Sequence, residues 1–400
     1  MTPHINQIKA LAGGFFAQAV EYRRHFHAYP ELSMHEHETA RYIARLLGEW
    51  GIAYKEGVAG TGIVAHIEGE AGPGPVIALR ADMDALPIHE ENRVPYRSCY
   101  PGVMHACGHD VHMASLLGAA RILQATRGEW GGSFRLLFQP SEEKYPGGAS
   151  LMIREGVLND PVPSAIFGQH VFPGLHAGKV GVRAGNYMAS TDEVYITVRG
   201  KGGHAATPHL LVDPVLIAAH IITGLQGIVS RNANPMVPTV LSFGRITAEG
   251  QTNVIPDEVK LEGTMRCFDE MWRKQMQVRI RETAVFIAQG MGGDCEVFID
   301  SGYPSLVNDQ HLVGQFLIRA TDYLGADNVV ELDKAMTAED FARYARKIPG
   351  CFYRLGTGKA DAETPVRLHT SSFDVDESSL ETGMGLMAWV GLGALESQKT

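Results

Sequence analysis

The sequence predicts an α/β fold divided between two domains, and three observations carry that expectation. The chain has 400 residues, more than a single hydrophobic core usually serves. Strand-like and helix-like segments alternate along most of it. Near residues 187–302 the rhythm changes to β-α-β-β-α-β, the order of a self-contained ferredoxin-like unit. That unit is expected to be an insertion, with residues 1–186 and 303–400 joining into one larger α/β domain.

Ser33-x-x-Glu36 has the form of a capping box ahead of the helical pattern HETARYIARLLGEW. Val76–Leu79, Phe134–Phe138 and Ala165–Phe167 are short apolar runs of the kind buried in parallel sheets. Between the first two, His112–Thr126 reads as a helix with Leu116, Leu117, Ile122 and Leu123 on its apolar side. In the insert, Glu193–Arg199 alternates as a strand. Asp213-Pro214 supplies an N-cap and an N1 proline for a helix to about Ser230. Strands follow at Thr239–Ile246 and Glu258–Arg266, then a helix from about Asp269 to Gln289 and a strand at Cys295–Ile299. Beyond the insert, Thr337-x-x-Asp340 resembles a second capping box, Cys351–Leu355 a strand, and Glu381 to about Leu395 a terminal helix.

Bulk properties exclude several classes. A net charge of -10 and a pI near 5.9 leave no basic face for nucleic acid or an anionic membrane. No uninterrupted apolar run is expected to span a bilayer. The opening MTPHINQIKALAGGFFAQAV has no basic n-region or small-residue cleavage site, so a signal peptide is not expected. Five scattered cysteines (Cys99, Cys107, Cys267, Cys295, Cys351) form no disulfide framework, which fits a reducing cytoplasm.

The residues that suggest chemistry lie just after the apolar runs. Met104-His-Ala-Cys-Gly-His-Asp-Val-His112 packs Cys, His and Asp into nine positions ahead of a helix. Cys107 and His109, one residue apart in a turn, can face one site, and thiolate with neutral imidazole suits zinc and similar ions. Glu142-Glu143 follows the strand FRLLF. Adjacent carboxylates there are costly without a nearby cation, and alternating directions let one ligate metal while the other serves as a general base. Asp82 and Asp84 follow VIAL; either is a carboxylate that orients a ligating imidazole or an acid of the turn. His170 and His369 lie in FGQHVFP and RLHTSSFDVDE and extend the donor set to five, enough for two metals. In the insert, His204 closes Gly200-Lys-Gly-Gly-His204 and Asn253 lies further on. Arg266 either grips a substrate carboxylate or pairs on the sheet surface. A P-loop, a dinucleotide glycine fingerprint, His-Glu-x-x-His and Gly-x-Ser-x-Gly are all absent.

Together LRADMDALPI, MHACGHDVHM, FQPSEEKYPGGA, GKGGHAATPH, TNVIPDE and LHTSSFDVDE resemble the M20 metallopeptidase family. The resemblance is to its amidohydrolase subfamily of hippurate hydrolases, N-acyl-amino-acid aminoacylases and auxin-conjugate hydrolases, and runs from about His27 to Glu377. It implies a zinc-peptidase-like catalytic domain (1–186 and 303–400) with an inserted lid or dimerisation domain (187–302). It also implies that Cys107 bridges two metals completed by His109, Glu143, His170 and His369, with Glu142 as base and Asp84 as supporting aspartate. Relatives with a His-x-Asp motif carry a ligand histidine where this chain has Asp82, and His109 takes its place. His204 matches a lid histidine that stabilises the oxyanion in the partner subunit's site, and Asn253 and Arg266 match positions that bind the substrate carboxylate. Ser141 and Lys144-Tyr145-Pro146 depart from the usual sequence around the acidic pair, as Cys267 does after Arg266.

The expectation is therefore a homodimeric or larger cytoplasmic hydrolase with two divalent ions per subunit. Zinc is favoured by the cysteine ligand, with manganese, cobalt or nickel as alternatives. Its expected substrates are N-acyl amino acids; a dipeptidase on the same metals is the rival enzyme, and a binding protein that lost turnover is the rival outside catalysis.

Overall fold

Every residue of the strand Val76–Asp82 is buried, a pattern that suits the middle of a sheet covered on both faces. In the computed structural model, which describes residues 3–359 and 366–397, that strand lies inside an eight-stranded mixed sheet. The spatial order is Ala53–Val58, Gly62–Glu68, Ser133–Gln139, Val76–Asp82, Ala165–His176, Gly350–Gly358, Val180–Val182, Val329–Glu331. Val76–Asp82 runs parallel to both neighbours, and Ala165–His176 runs parallel to Gly350–Gly358. Gly62–Glu68 is antiparallel on both sides. The helices Ile5–Ala28, His109–Ala125 and Ser379–Ser397 contribute to one continuous core with the sheet. His109–Ala125 is buried on nearly every side, as expected of a helix apolar all round. It approaches the terminal helix so closely that a Cβ on Gly118 would lie 2.6 Å from Met384 Sδ.

The chain divides into two compact units. Met1–Gly185, Val307–Asp333 and Asp340–Thr400 form the first; Asn186–Leu306 and Lys334–Glu339 form the second. The second unit contains a four-stranded antiparallel sheet ordered Thr239–Ala248, Glu258–Cys267, Asp192–Arg199, Asp294–Ser301. Helices Pro214–Gly227 and Glu270–Gly290 bury Ile217, Ile221, Leu225, Met276, Ile280 and Ala284 in its core with Val194, Ile196 and Val198. Asp213 caps the first helix by accepting from Val215 and Leu216 N–H, as its sequence suggests. That helix and its π-helical continuation, Pro214–Asn232, have the length and mean hydropathy of a helix that could cross a membrane, although His220, Gln226 and Ser230 interrupt the apolar run. One third of the stretch is buried in the unit.

Two expected capping boxes do not form. The helix His37–Glu49 begins after Glu36 with no side-chain cap at that residue, and Glu31 accepts instead from the N–H groups of Glu38 and Thr39. Ser33 and Glu36 are spent elsewhere, as described below. Thr337-x-x-Asp340 precedes only the single turn Ala342–Ala345, which also lacks a side-chain cap. The Asp340 carboxylate accepts instead from Arg80, Gln139 and the N–H of Ala149.

The first helix is pinned by a buried ionic cluster. Arg23 Nε donates to Asp110 at 2.8 Å, its other nitrogens reach Asp374 and Glu377, and its guanidinium lies over the Tyr96 ring. His27 bridges Asp110 and Glu90. Replacing Arg23 with Met should destabilise the protein by about 3–5 kcal/mol, because Asp110 would be left as a buried charge without its main partner. Urea unfolding checks this, and a loss below about 1 kcal/mol would contradict it. The cluster also sets a pH window. Burial opposes ionisation of Glu90 and Asp374, yet His27 for the first and Arg23 with Lys359 for the second hold both carboxyls below their ordinary range. Their contribution should be complete above about pH 5 and lost as pH falls through the lower folded values. Burial likewise opposes the charged form of His27, but Asp110 and Glu90 raise its pKa. The His27 share is thus full below about pH 6.5 and fades as pH rises through the raised value.

Candidate metal centre

Parallel strands that end together leave a crevice at their carboxyl ends, and loops leaving those ends carry the polar residues here. Asp82 ends its strand in register with Gln139, so Glu142 and Glu143 emerge next to Asp84. On the other side Arg80 pairs with Gly168, which brings His170 level with the end of the same strand. Gly108, at φ 80°, turns the chain into the helix His109–Ala125, whose first residue is therefore His109 rather than His112. His369 is delivered by a turn whose N–H bonds Ala106 O at 2.8 Å.

The five expected ligands converge. Cys107, His109 and His170 present donor atoms within 4.8 Å of one another, and so do Cys107, Glu143 and His369. Cys107 is common to both sets. Its Sγ lies 3.4 Å from His170 Nε2 and 3.2 Å from His369 Nε2. Glu143 Oε1 is 3.2 Å from His369 Nε2 and 3.9 Å from His109 Nε2. Glu142 joins His109 and Glu143 in a third such group and accepts from Asp340 N–H at 3.5 Å.

This arrangement fits divalent cations. His109 donates Nδ1–H to Asp84 O and His170 donates Nδ1–H to Val171 O, both at 2.8 Å, which turns the lone pairs of both Nε2 atoms inward. His109 Nε2 is buried without a hydrogen-bond partner among the described residues, and Glu143 Oε1 makes no hydrogen bond there beyond its ion-pair contact with His369. Buried orphans of that kind are rare unless an ion or water completes them. Burial, with Glu143, Glu142 and Asp82 nearby, pushes the Cys107 thiol well above its ordinary pKa. Burial opposes charge on His109, but Asp82, Asp84 and Glu143 outweigh it and raise the imidazole to about 10. The protein alone thus holds protons where a cation would displace them.

Asp84 organises the acidic pair: Oδ1 accepts from Glu142 N–H at 2.9 Å and Oδ2 from Glu143 N–H at 3.0 Å. Ser33 Oγ donates to the same carboxylate at 2.6 Å. Glu36 accepts from Ser141 N–H at 2.8 Å and from Thr61 Oγ1 at 2.6 Å, which fixes the start of the acidic loop. Ser33 and Glu36 were the residues of the expected capping box; their burial pattern is tertiary and gave no separate signal. Within the His-rich motif, Asp110 belongs to the Arg23 cluster and His105 to none of these donor groups. Asp82 pairs with Arg80 and His112.

In the second unit His204 and Gly203 pair with Val254 and Ile255, and Asn253 O accepts from Ala205 N–H, so two of the three insert residues share one small motif. Both side chains are exposed. Arg266 lies on Glu258–Cys267 opposite Val240, half-buried, with Nη1 buried and without a hydrogen-bond partner among the described residues.

Comparison with known proteins extends this picture. Residues 78–390 match the model of peptidase family M20/M25/M40. The chain is 41% identical over 364 residues to an N-acetyl-L-cysteine deacetylase of Bacillus subtilis, covering 91% of this chain and 85% of that protein. It is 38% identical over 367 residues to thermostable carboxypeptidase 1 of Saccharolobus solfataricus, covering 91% and 92%. Among solved structures it is similar to a Bacillus subtilis protein described as a dinuclear metal-binding peptidase of the M20 family. That match has 37% identity, covers 96% of this chain and 99% of the other, and has a TM-score of 0.83.

Membership of Cys107 in both donor groups makes a stoichiometric prediction. Cys107→Ala should weaken both metal equivalents, whereas His369→Ala should retain one. Metal analysis after dialysis against a weak chelator distinguishes them, and two tight equivalents in Cys107→Ala would refute the shared ligand.

Proposed function

The chain belongs to peptidase family M20/M25/M40, and from that premise we propose that it hydrolyses the amide bond of N-acyl amino acids to a carboxylate and a free amino acid. Metal-dependent hydrolysis of amide bonds is the reaction class common to the family match and the deacetylase and carboxypeptidase relatives. The observation that carries the reading is Glu142, buried and adjacent in sequence to a ligand, within reach of two donor sets that share Cys107.

Cys107, His109, Glu143, His170 and His369 would hold two divalent cations, for which zinc suits the thiolate best. When bound, such ions supply Lewis acidity and lower the pKa of water at neutral pH. Glu142 takes the proton of the attacking water and later passes it to the leaving amine. Asp84 keeps the Glu142 backbone fixed through that exchange, so the carboxylate meets water without reorganising. The second unit, whose strand order is that of a ferredoxin-like fold, is proposed as the lid and dimerisation domain. There His204 would stabilise the oxyanion, and Asn253 and Arg266 would bind the substrate carboxylate; the unpartnered Arg266 Nη1 supports the last role. The carboxypeptidase relative favours a second reading, release of a terminal residue from a short peptide by the same residues.

Glu142→Gln should keep its metal while kcat falls by about 10²–10⁴-fold. Near-normal turnover in that variant would remove the assignment of the base. Assays of the wild type on N-acetyl amino acids, N-benzoyl amino acids and dipeptides separate the two readings by relative kcat/KM.

A further inference from the structure

We propose that His112, which ligates no metal itself, is the positioning residue that fixes His170 by holding the backbone of Val171. The inference rests on the dinuclear reading above and adds a residue to it.

Four consecutive hydrogen bonds carry the argument. Arg80 Nη1 donates to Asp82 Oδ2 at 2.6 Å. Asp82 Oδ1 lies 2.5 Å from His112 Nδ1. Val171 N–H donates to His112 Nε2 at 2.9 Å. His170 Nδ1 lies 2.8 Å from Val171 O. The proton positions follow from the fixed ends. Val171 N–H can only donate, so His112 Nε2 must present a lone pair and its proton sits on Nδ1, facing the Asp82 carboxylate. Val171 O can only accept, so His170 carries its proton on Nδ1 and turns the lone pair of Nε2 toward Cys107, 3.4 Å away.

The fold explains why a side chain is needed at this point. Pairing between Val76–Asp82 and Ala165–His176 ends at Arg80–Gly168, before the sheet reaches Val171. The Val171 N–H would otherwise leave the sheet on that side without a ladder partner; His112, one turn into its helix, supplies it. The other end of the chain of bonds is anchored by further hydrogen bonds. Arg80 also donates through Nη2 to Asp340 and through Nε to Gln139, and all four side chains are buried. His112 also belongs to a cluster with Asp82 and His109 that could be taken for a cation site. Both of its ring nitrogens are already engaged, so no lone pair remains for an ion there.

Asparagine at 112 can reproduce the Nδ1 contact to Asp82 but is too short to reach Val171, whereas glutamine can place an acceptor near the former Nε2. The test is calorimetric zinc titration of metal-stripped wild type, His112→Asn and His112→Gln, with the visible spectrum of the cobalt(II) forms as a second readout. Wild type should bind two equivalents. His112→Asn should bind the first normally and the second about 10–100-fold more weakly, the usual effect of losing a partner behind a ligating imidazole, with an altered cobalt band. His112→Gln should recover most of that loss. If wild type binds fewer than two equivalents, the dinuclear reading fails and the proposal falls with it. If wild type binds two and His112→Asn matches it in affinity and spectrum, the positioning role alone is overturned. Equal losses in His112→Gln and His112→Asn overturn the link through Val171, and a third wild-type equivalent missing from His112→Asn overturns the exclusion of His112 as a ligand. If the asparagine variant does not fold, the glutamine variant still decides: a weakened second equivalent there overturns the proposal.

Discussion

Both oxygens of Asp84 accept backbone N–H bonds from the acidic pair, at 2.9 Å from Glu142 and 3.0 Å from Glu143, while Ser33 and His109 close on it from other segments. Only a carboxylate fits this position. An amide would turn an NH₂ group toward at least one N–H donor and leave both unsatisfied in a buried place. Burial opposes ionisation of Asp84, but His109, Ser33 and the Glu143 N–H more than offset it and lower its pKa. The interaction ties the end of one central strand to the loop leaving its neighbour and to the first residue of the core helix. Each donor group draws a residue from that junction, so the placement of the donor atoms follows from the sheet.

Electrostatics impose the next requirement. Ions removed from water cost several kcal/mol each, and this crevice gathers many acids. Arg80 is committed to Asp82 and Asp340, and Arg23 to Asp110, Asp374 and Glu377. Those guanidiniums balance the acids behind the crevice. Glu143 and Cys107, in front, face the imidazoles of His109, His170 and His369. Imidazoles can ligate or carry charge but cannot do both, which is why the donor set suits exchangeable cations better than permanent ion pairs.

Much of this was legible in the sequence because the signals were local. VIAL, FRLLF and AIF are short apolar runs that only a buried sheet accommodates, and acids or histidines directly after them mark strand ends. Cys107, His109, Glu143, His170 and His369 were recognisable as donors by type and place. The insert's β-α-β-β-α-β order was readable because its strands alternate and its helices are capped by Asp213 and Asp269. Ser33, Glu36 and Asp340 were misread for one shared reason. A capping box is a pattern of two residues, and tertiary partners engage the same side chains instead: Ser33 Oγ donates to Asp84, while Glu36 accepts from Ser141 N–H and Asp340 from Arg80. His112 was seen only as one histidine of a cluster, since its role depends on a strand pair ending two residues early, which no pattern along the chain records.

Backbone conformation carries the remaining step. Ser141 and His369 adopt left-handed φ values of 52° and 60°, a region that costs side-chain-bearing residues about 1–3 kcal/mol. Each stands where the chain delivers grouped donor atoms: one just before Glu142-Glu143, the other as a member of the Cys107–Glu143–His369 group itself. Gln139-Pro140-Ser141 reads as a turn along the chain, but neither Ser141 nor His369 is glycine, so residue type does not mark the left-handed conformation. The conformations persist because their amides are held from outside the loop, Ser141 N–H by Glu36 and His369 N–H by Ala106 O. The strain is therefore borne by contacts that reach back to residues 31–36 and 104–107. A segment preceding the first sheet strand thus shapes the donor cluster as much as the clustered residues do, although it supplies no donor atom to it.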